Sequence, residues 1–82
     1  MILMMLQDRN TLQSTPKWAI EYNDEYISFT CIEDAIKNMG SHIAITAKVH
    51  DQIDHALIEM YSTGNNKATF TSDGTFISSE RL

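Results

Sequence analysis

Two short runs of alternating side chains constrain this sequence more than anything else in it. Trp18, Ile20 and Tyr22 alternate with Lys17, Ala19 and Glu21. After Asn23-Asp24-Glu25 the pattern resumes, with Ile27, Phe29 and Cys31 against Tyr26, Ser28 and Thr30. A period of two marks a half-buried strand, and two such runs joined by a short polar turn predict a β-hairpin. The turn lacks glycine, which leaves its type open.

The period then changes. Thr30 and Glu33 have the spacing of a capping box, in which hydroxyl and carboxylate each accept a free backbone N–H. Ile32, Ala35, Ile36 and Met39 follow on one helical stripe, and Gly40 suits a left-handed stop. Glu33 and Asp34 in the first turn and Lys37 near the end complement the helix dipole. These features predict a helix over 31–39. A longer stripe, Ile45, Val49, Ile53, Ala56, Leu57 and Met60, predicts a second helix from about residue 42, with Ser41 as its N-cap. Residues 41–46 are ambiguous, because Ile43 and Ile45 also alternate as a strand would. Ser62-Thr63-Gly64-Asn65-Asn66 ends the helix.

The tail from Ala68 to Ser78 reads as a second hairpin with two competing registers. An Asp73-Gly74 two-residue turn pairs Phe70 with Ile77. A three-residue Ser72-Asp73-Gly74 loop, with Gly74 in a left-handed bulge, pairs Phe70 with Phe76. The predicted order is β-β-α-α-β-β, with room for one further strand at residues 2–6 and a polar loop at residues 7–16. The expected fold is α+β: a small antiparallel sheet of two hairpins with two helices packed on one face, burying both stripes. At 82 residues the chain is expected to be one domain over 1–82.

The first six residues, Met1 to Leu6, are apolar. The expectation is a core segment, since the alternative, an exposed arm reaching for a partner, is an aggregation liability. Six apolar residues are too few to cross a bilayer, and without a basic flank they do not make a signal peptide. Cys31 is the sole cysteine, so no intrachain disulfide can form. A small secreted domain normally depends on several, which points to a reducing cytoplasm. Hydrophobic residues at 43 % and charged residues at 21 % argue against disorder. Six Lys and Arg against eleven Asp and Glu leave a net charge of −5, a poor match for a nucleic-acid backbone.

Candidate chemistry is thin. Cys31 lies where a strand meets a helix N-terminus, which can activate a thiol, but its alternation with Ile27 and Phe29 points it into the core. His50 with Asp54, and Asp51 with His55, have i,i+4 spacing that can hold a metal, yet the pairs point about 100° apart and each supplies only two ligands. They read as helix-surface partners. His42, on a helix starting by residue 42, would share a stripe with Val49, Ile53 and Met60 and bond a backbone group there. No P-loop, dinucleotide fingerprint, nucleophile elbow or EF-hand occurs. No metal or cofactor is expected.

The first hairpin is the candidate site. Glu21, Asp24, Glu25, Glu33 and Asp34 are five acids with no Lys or Arg between Lys17 and Lys37. Tyr22 and Tyr26 flank the acidic turn. Tyrosine offers contact area at low entropic cost, and an acidic rim steers a basic partner. Glu21, Tyr22, Asp24, Glu25 and Tyr26 are therefore the expected partner-binding residues. Replacing Asp24 and Glu25 by Lys is expected to weaken the complex and leave stability nearly unchanged.

In its size, single-domain length and Asn/Thr/Ser/Ile-rich, glycine-poor texture, the chain resembles the small accessory proteins of T-even-type phages. That group includes host-factor inhibitors and a cytoplasmic antiholin of lysis inhibition. The resemblance implies a stoichiometric protein binder rather than an enzyme. The sequence reading agrees: an inhibitor or regulator meeting a protein with a basic or strand-offering surface, with no direct nucleic-acid contact and no membrane insertion. A homodimer through a sheet edge or through Ile58 and Tyr61 is compatible. The alternatives are a small metal- or thiol-dependent enzyme using His42, His50 or Cys31, and an acidic mimic of nucleic acid.

Overall fold

The computed structural model describes residues 1–6 and 17–81, so the expected loop over residues 7–16 lies outside the described residues. Five strands and two helices follow one another as β1 (Ile2–Met5), β2 (Trp18–Tyr22), β3 (Glu25–Phe29), α1 (Ile32–Gly40), α2 (Ala47–Thr63), β4 (Lys67–Phe70) and β5 (Phe76–Glu80). The fold is α+β, with all five strands in one antiparallel sheet of order β3-β2-β1-β4-β5.

The strand order corrects the expected pattern. β1 is the centre of the sheet, and the two hairpins meet only through it. Leu3 lies between Ile20 and Ala68, and Met4 between Ala19 and Lys67. Leu3 and Met4 are both buried although they face opposite sides. A strand covered on both faces loses the alternation that would mark it, which is why Ile2-Leu3-Met4-Met5 reads as a plain apolar run. The run is core, as expected.

One face of the sheet carries the helices. Leu3, Trp18, Ile20, Ala68 and Phe70 pack there against Ala35 and Met39 of α1, Ile43 of the connector, and Val49, Ile53, Ala56 and Met60 of α2. The helix α1 lies over β2 and β3, and α2 over β4 and β5. The other face presents Ile2, Met4, Glu21, Tyr26, Lys67 and Glu80, with the Lys67–Glu80 ion pair joining neighbouring strands at 3.1 Å.

The helix ends differ from expectation in three places. The N-cap of α1 is Cys31, in extended conformation and with no side-chain cap, so the Thr30–Glu33 box does not form. The helix starts one residue too late for that box, which puts Asp34 rather than Glu33 at the third helical position. Gly40 is the last residue of α1 rather than a left-handed cap, and a Cβ there would meet Ile45 Cγ1 at 3.3 Å. The helix α2 begins at Ala47, where Thr46 Oγ1 accepts from Val49 N–H. Ser41 caps nothing in α2; its hydroxyl donates back to Asn38 O at 2.6 Å. Residues 41–46 form a connector whose Ile43 enters the core. At the other end of α2, Gly64 takes the left-handed position (φ 77°) and donates to Met60 O.

The second hairpin adopts the three-residue loop. Phe70 pairs with Phe76, Thr71 N–H donates to Thr75 O at 2.8 Å, and Gly74 has φ 88°. Gly74 is buried, and a Cβ on it would come within 3.0 Å of Ile43 and Val49. The tip of this hairpin is thus tucked against the connector and α2, which favours this register over the two-residue turn.

Candidate functional site

The first hairpin closes on Asn23 and Asp24, with φ of 50° and 67°. Two successive left-handed residues define the tight turn whose twist matches a hairpin, and Asn and Asp tolerate that region best after glycine. Tyr22 and Glu25 are the closing pair. The next pair inward is Glu21 with Tyr26.

This register divides the five expected site residues between two faces. Tyr22 belongs with Trp18 and Ile20 on the helix side, where its ring stacks on His42 at 4.4 Å between centroids and 26° between planes. Glu25 lies across from it. Glu21 and Tyr26 lie together on the opposite face, and Asp24 projects from the tip. Tyr26 is 56 % exposed while Tyr22 is half-buried. The two tyrosines therefore do not share one surface. Tyr26 is the one presented to solvent, and Tyr22 holds the hairpin to the connector.

The hairpin also leaves β3 as an outer strand of the sheet. With a two-residue turn, Glu25, Ile27 and Phe29 direct their N–H and C=O groups inward to β2, and Tyr26 and Ser28 direct theirs outward. Glu25, Tyr26, Ile27 and Ser28 are all exposed. Exposed acids gather at the turn end of this edge (Glu21, Asp24 and Glu25), and Glu33 and Asp34 follow its other end along the chain, in the first turn of α1.

The opposite outer strand, β5, is held to α2 by side-chain contacts, although Ile77, Ser78 and Glu80 are exposed. Gln52 Oε1 accepts from Phe76 N–H at 3.0 Å, and Glu59 Oε2 accepts from Ser79 Oγ at 2.9 Å. Asn65 Nδ2 donates to the same Ser79 hydroxyl at 2.8 Å, and the His55 ring meets Phe76 edge-on. Gln52, His55 and Glu59 form one side of α2 that clamps this strand. Their spacing was visible in the sequence, but nothing there said which strand they would meet.

The remaining candidates fall apart spatially. Cys31 is half-buried at the α1 N-cap, outside the core cluster where alternation had placed it. β3 ends at Phe29, so the alternation no longer governs residue 31. The Asp34 backbone N–H favours its thiolate, but a hydrogen bond to the Asp34 carboxylate, burial, repulsion from that carboxylate and a hydrogen bond to Glu33 together outweigh it. The thiol is pushed up, away from activation. His42 lies in the connector rather than on a helical stripe. His50, Asp51, Asp54 and His55 are exposed along α2, and among the described residues no three His, Cys, Asp or Glu side chains gather closely enough to hold a metal ion. Nor is any described helix long and apolar enough to cross a membrane.

Asp73 is the most densely bonded carboxylate described. It accepts from the Thr71 hydroxyl, from Thr75 Oγ1 at 3.1 Å and from Thr75 N–H at 3.3 Å. These donors hold its carboxyl below the usual range. They order the second hairpin's loop and have no visible tie to the first.

Among the described residues the fold is a small α+β domain with two outer strands, β5 tied to α2 by side chains and β3 exposed from Glu25 to Ser28. No protein family, curated protein or solved structure was found to match the chain.

Proposed function

We propose that this chain is a stoichiometric protein-binding module, an inhibitor or regulator that acts by occupying a partner rather than by catalysis. The observation that carries this reading is the β3 edge, exposed from Glu25 to Ser28, with acids at its turn end and in the first turn of α1 that follows it. A solvent-facing edge is a template for another chain, and proteins usually blunt such edges or use them. Acidic rims steer basic partners and suppress acidic ones. The partner is a protein with a basic or strand-offering surface, and the lone Cys31 suits a reducing cytoplasm. A role of the phage accessory kind, in lysis inhibition or host takeover, is compatible with this mode of action.

The test is affinity capture from the native cells, comparing the tagged wild type with Glu21→Lys/Glu25→Lys. Both positions are exposed strand sites in ordinary β geometry. Asp24 is left unchanged, because Lys at φ 67° is strained and would mix stability with binding. The wild type should retain a partner near one-to-one, and the variant should retain about tenfold less or lower. Equal retention by both removes the acidic hairpin from the interface.

A further inference from the structure

We propose that β3 receives an extended, basic segment of the partner as a sixth, antiparallel strand. The proposal rests on the protein-binding reading above and specifies its occupant. Tyr26 and Ser28 present the outward N–H and C=O groups, and Ile27, 37 % exposed, lies between them on the helix side. A strand laid here would exchange backbone hydrogen bonds with residues 26 and 28 and place an apolar side chain beside Ile27.

Charge decides who that strand can belong to. In antiparallel pairing of two copies centred on Ile27, Glu25 of each copy would lie opposite Phe29 of the other. The acidic turn of each would then approach the other's Glu33 and Asp34. Like charges would gather at both ends, so the acids disfavour self-pairing. The same arrangement favours a segment with cations at both ends and an uncharged, β-forming centre. The five residues of β3 span about 13 Å, so the two cationic ends should flank roughly three central residues.

The probe is a synthetic peptide, acetyl-Lys-Lys-Thr-Val-Thr-Lys-Lys-amide, with a twin N-methylated at both Thr residues. The charge is identical in the twin, but the two N–H groups that would bond residues 26 and 28 are gone. Titration of the full chain, followed by backbone amide NMR, should show the unmodified peptide shifting Tyr26, Ile27 and Ser28 and slowing exchange of the Tyr26 and Ser28 amides. The methylated twin should bind about tenfold more weakly or worse. Ser28→Pro should weaken the unmodified peptide similarly, because proline removes an outward N–H that no strand of the sheet uses. Should that variant fail to fold, the methylated peptide gives the answer on the wild type.

Equal affinity for both peptides would overturn strand addition while leaving an acidic contact surface intact. Shifts confined to Glu33 and Asp34, or no binding at millimolar concentration, would also overturn it, and the capture experiment then decides the broader reading separately. Concentration-dependent shifts of Tyr26 and Ser28 without any peptide would show that a second copy takes the edge, contrary to the charge argument.

Discussion

Tyr22 lies nearly flat against His42, with ring centroids 4.4 Å apart, and this contact ties the end of the first hairpin to the connector between the helices. It separates the jobs of two tyrosines only four residues apart. Stacked rings of this kind contribute about 0.5–1.5 kcal/mol beyond their buried area. A double-mutant cycle over Tyr22→Ala and His42→Ala, read by chemical denaturation, should return a coupling energy of about that size. Tyr26→Ala should change stability by less than about 0.5 kcal/mol yet reduce partner retention, the pattern of an exposed contact residue.

The alternation in residues 18–31 already placed Tyr22 with Trp18 and Ile20, and Tyr26 opposite Ile27. The division between the tyrosines was therefore legible, although the expected site grouped both with the acidic turn. What alternation could not show was His42, which reaches Tyr22 only because α2 starts at Ala47 and leaves residues 41–46 as a connector. The central strand was illegible for another reason. Burial on both faces removes the period from Ile2–Met5, and its paired neighbours lie at least 13 residues away in β2 and at least 63 in β4.

The two hairpin tips predict opposite responses to substitution. Gly74 is left-handed and buried against Ile43 and Val49, so Gly74→Ala combines backbone strain with overpacking. It should cost about 2–4 kcal/mol of unfolding free energy. Asp24 is left-handed but exposed at an open tip. Asp24→Gly should be neutral or stabilising by up to about 1 kcal/mol, since glycine relieves the conformation at some cost in chain entropy. Denaturant midpoints of the two variants, at unchanged slope, measure the contrast.

Helix capping offers a second local test. Thr46→Ala removes the oxygen that accepts from Val49 N–H and should cost about 1 kcal/mol. Thr30→Ala should cost less than about 0.5 kcal/mol, because no Thr30 cap is made at α1. The sequence favoured Thr30 by its capping-box spacing. Spacing records what a helix could use; the helix starts one residue later, with Cys31 at the N-cap.

Asp73 makes stability depend on acid. Its folded-state carboxyl is held below the ordinary value by hydrogen bonds from Thr71 and Thr75, so the unfolded chain takes up a proton first as pH falls. Its contribution is complete above about pH 4 to 5 and is lost as pH drops through the lower folded value. Thermal unfolding of the wild type and Asp73→Asn should differ most near about pH 6, with the gap narrowing steadily as pH falls below about 4. A constant gap across that range would mean that the carboxylate charge is not what the threonines stabilise.

The acidic, exposed β3 edge is the surface proposed to meet the partner. Quantitative capture of the native partner by wild type and Glu21→Lys/Glu25→Lys, with both proteins shown to unfold at the same temperature, addresses it most directly. The wild type should retain the partner near-stoichiometrically, and the charge-reversed chain should retain about tenfold less or lower. A partner held equally well by both would contradict that expectation and move the interface to another surface of the molecule.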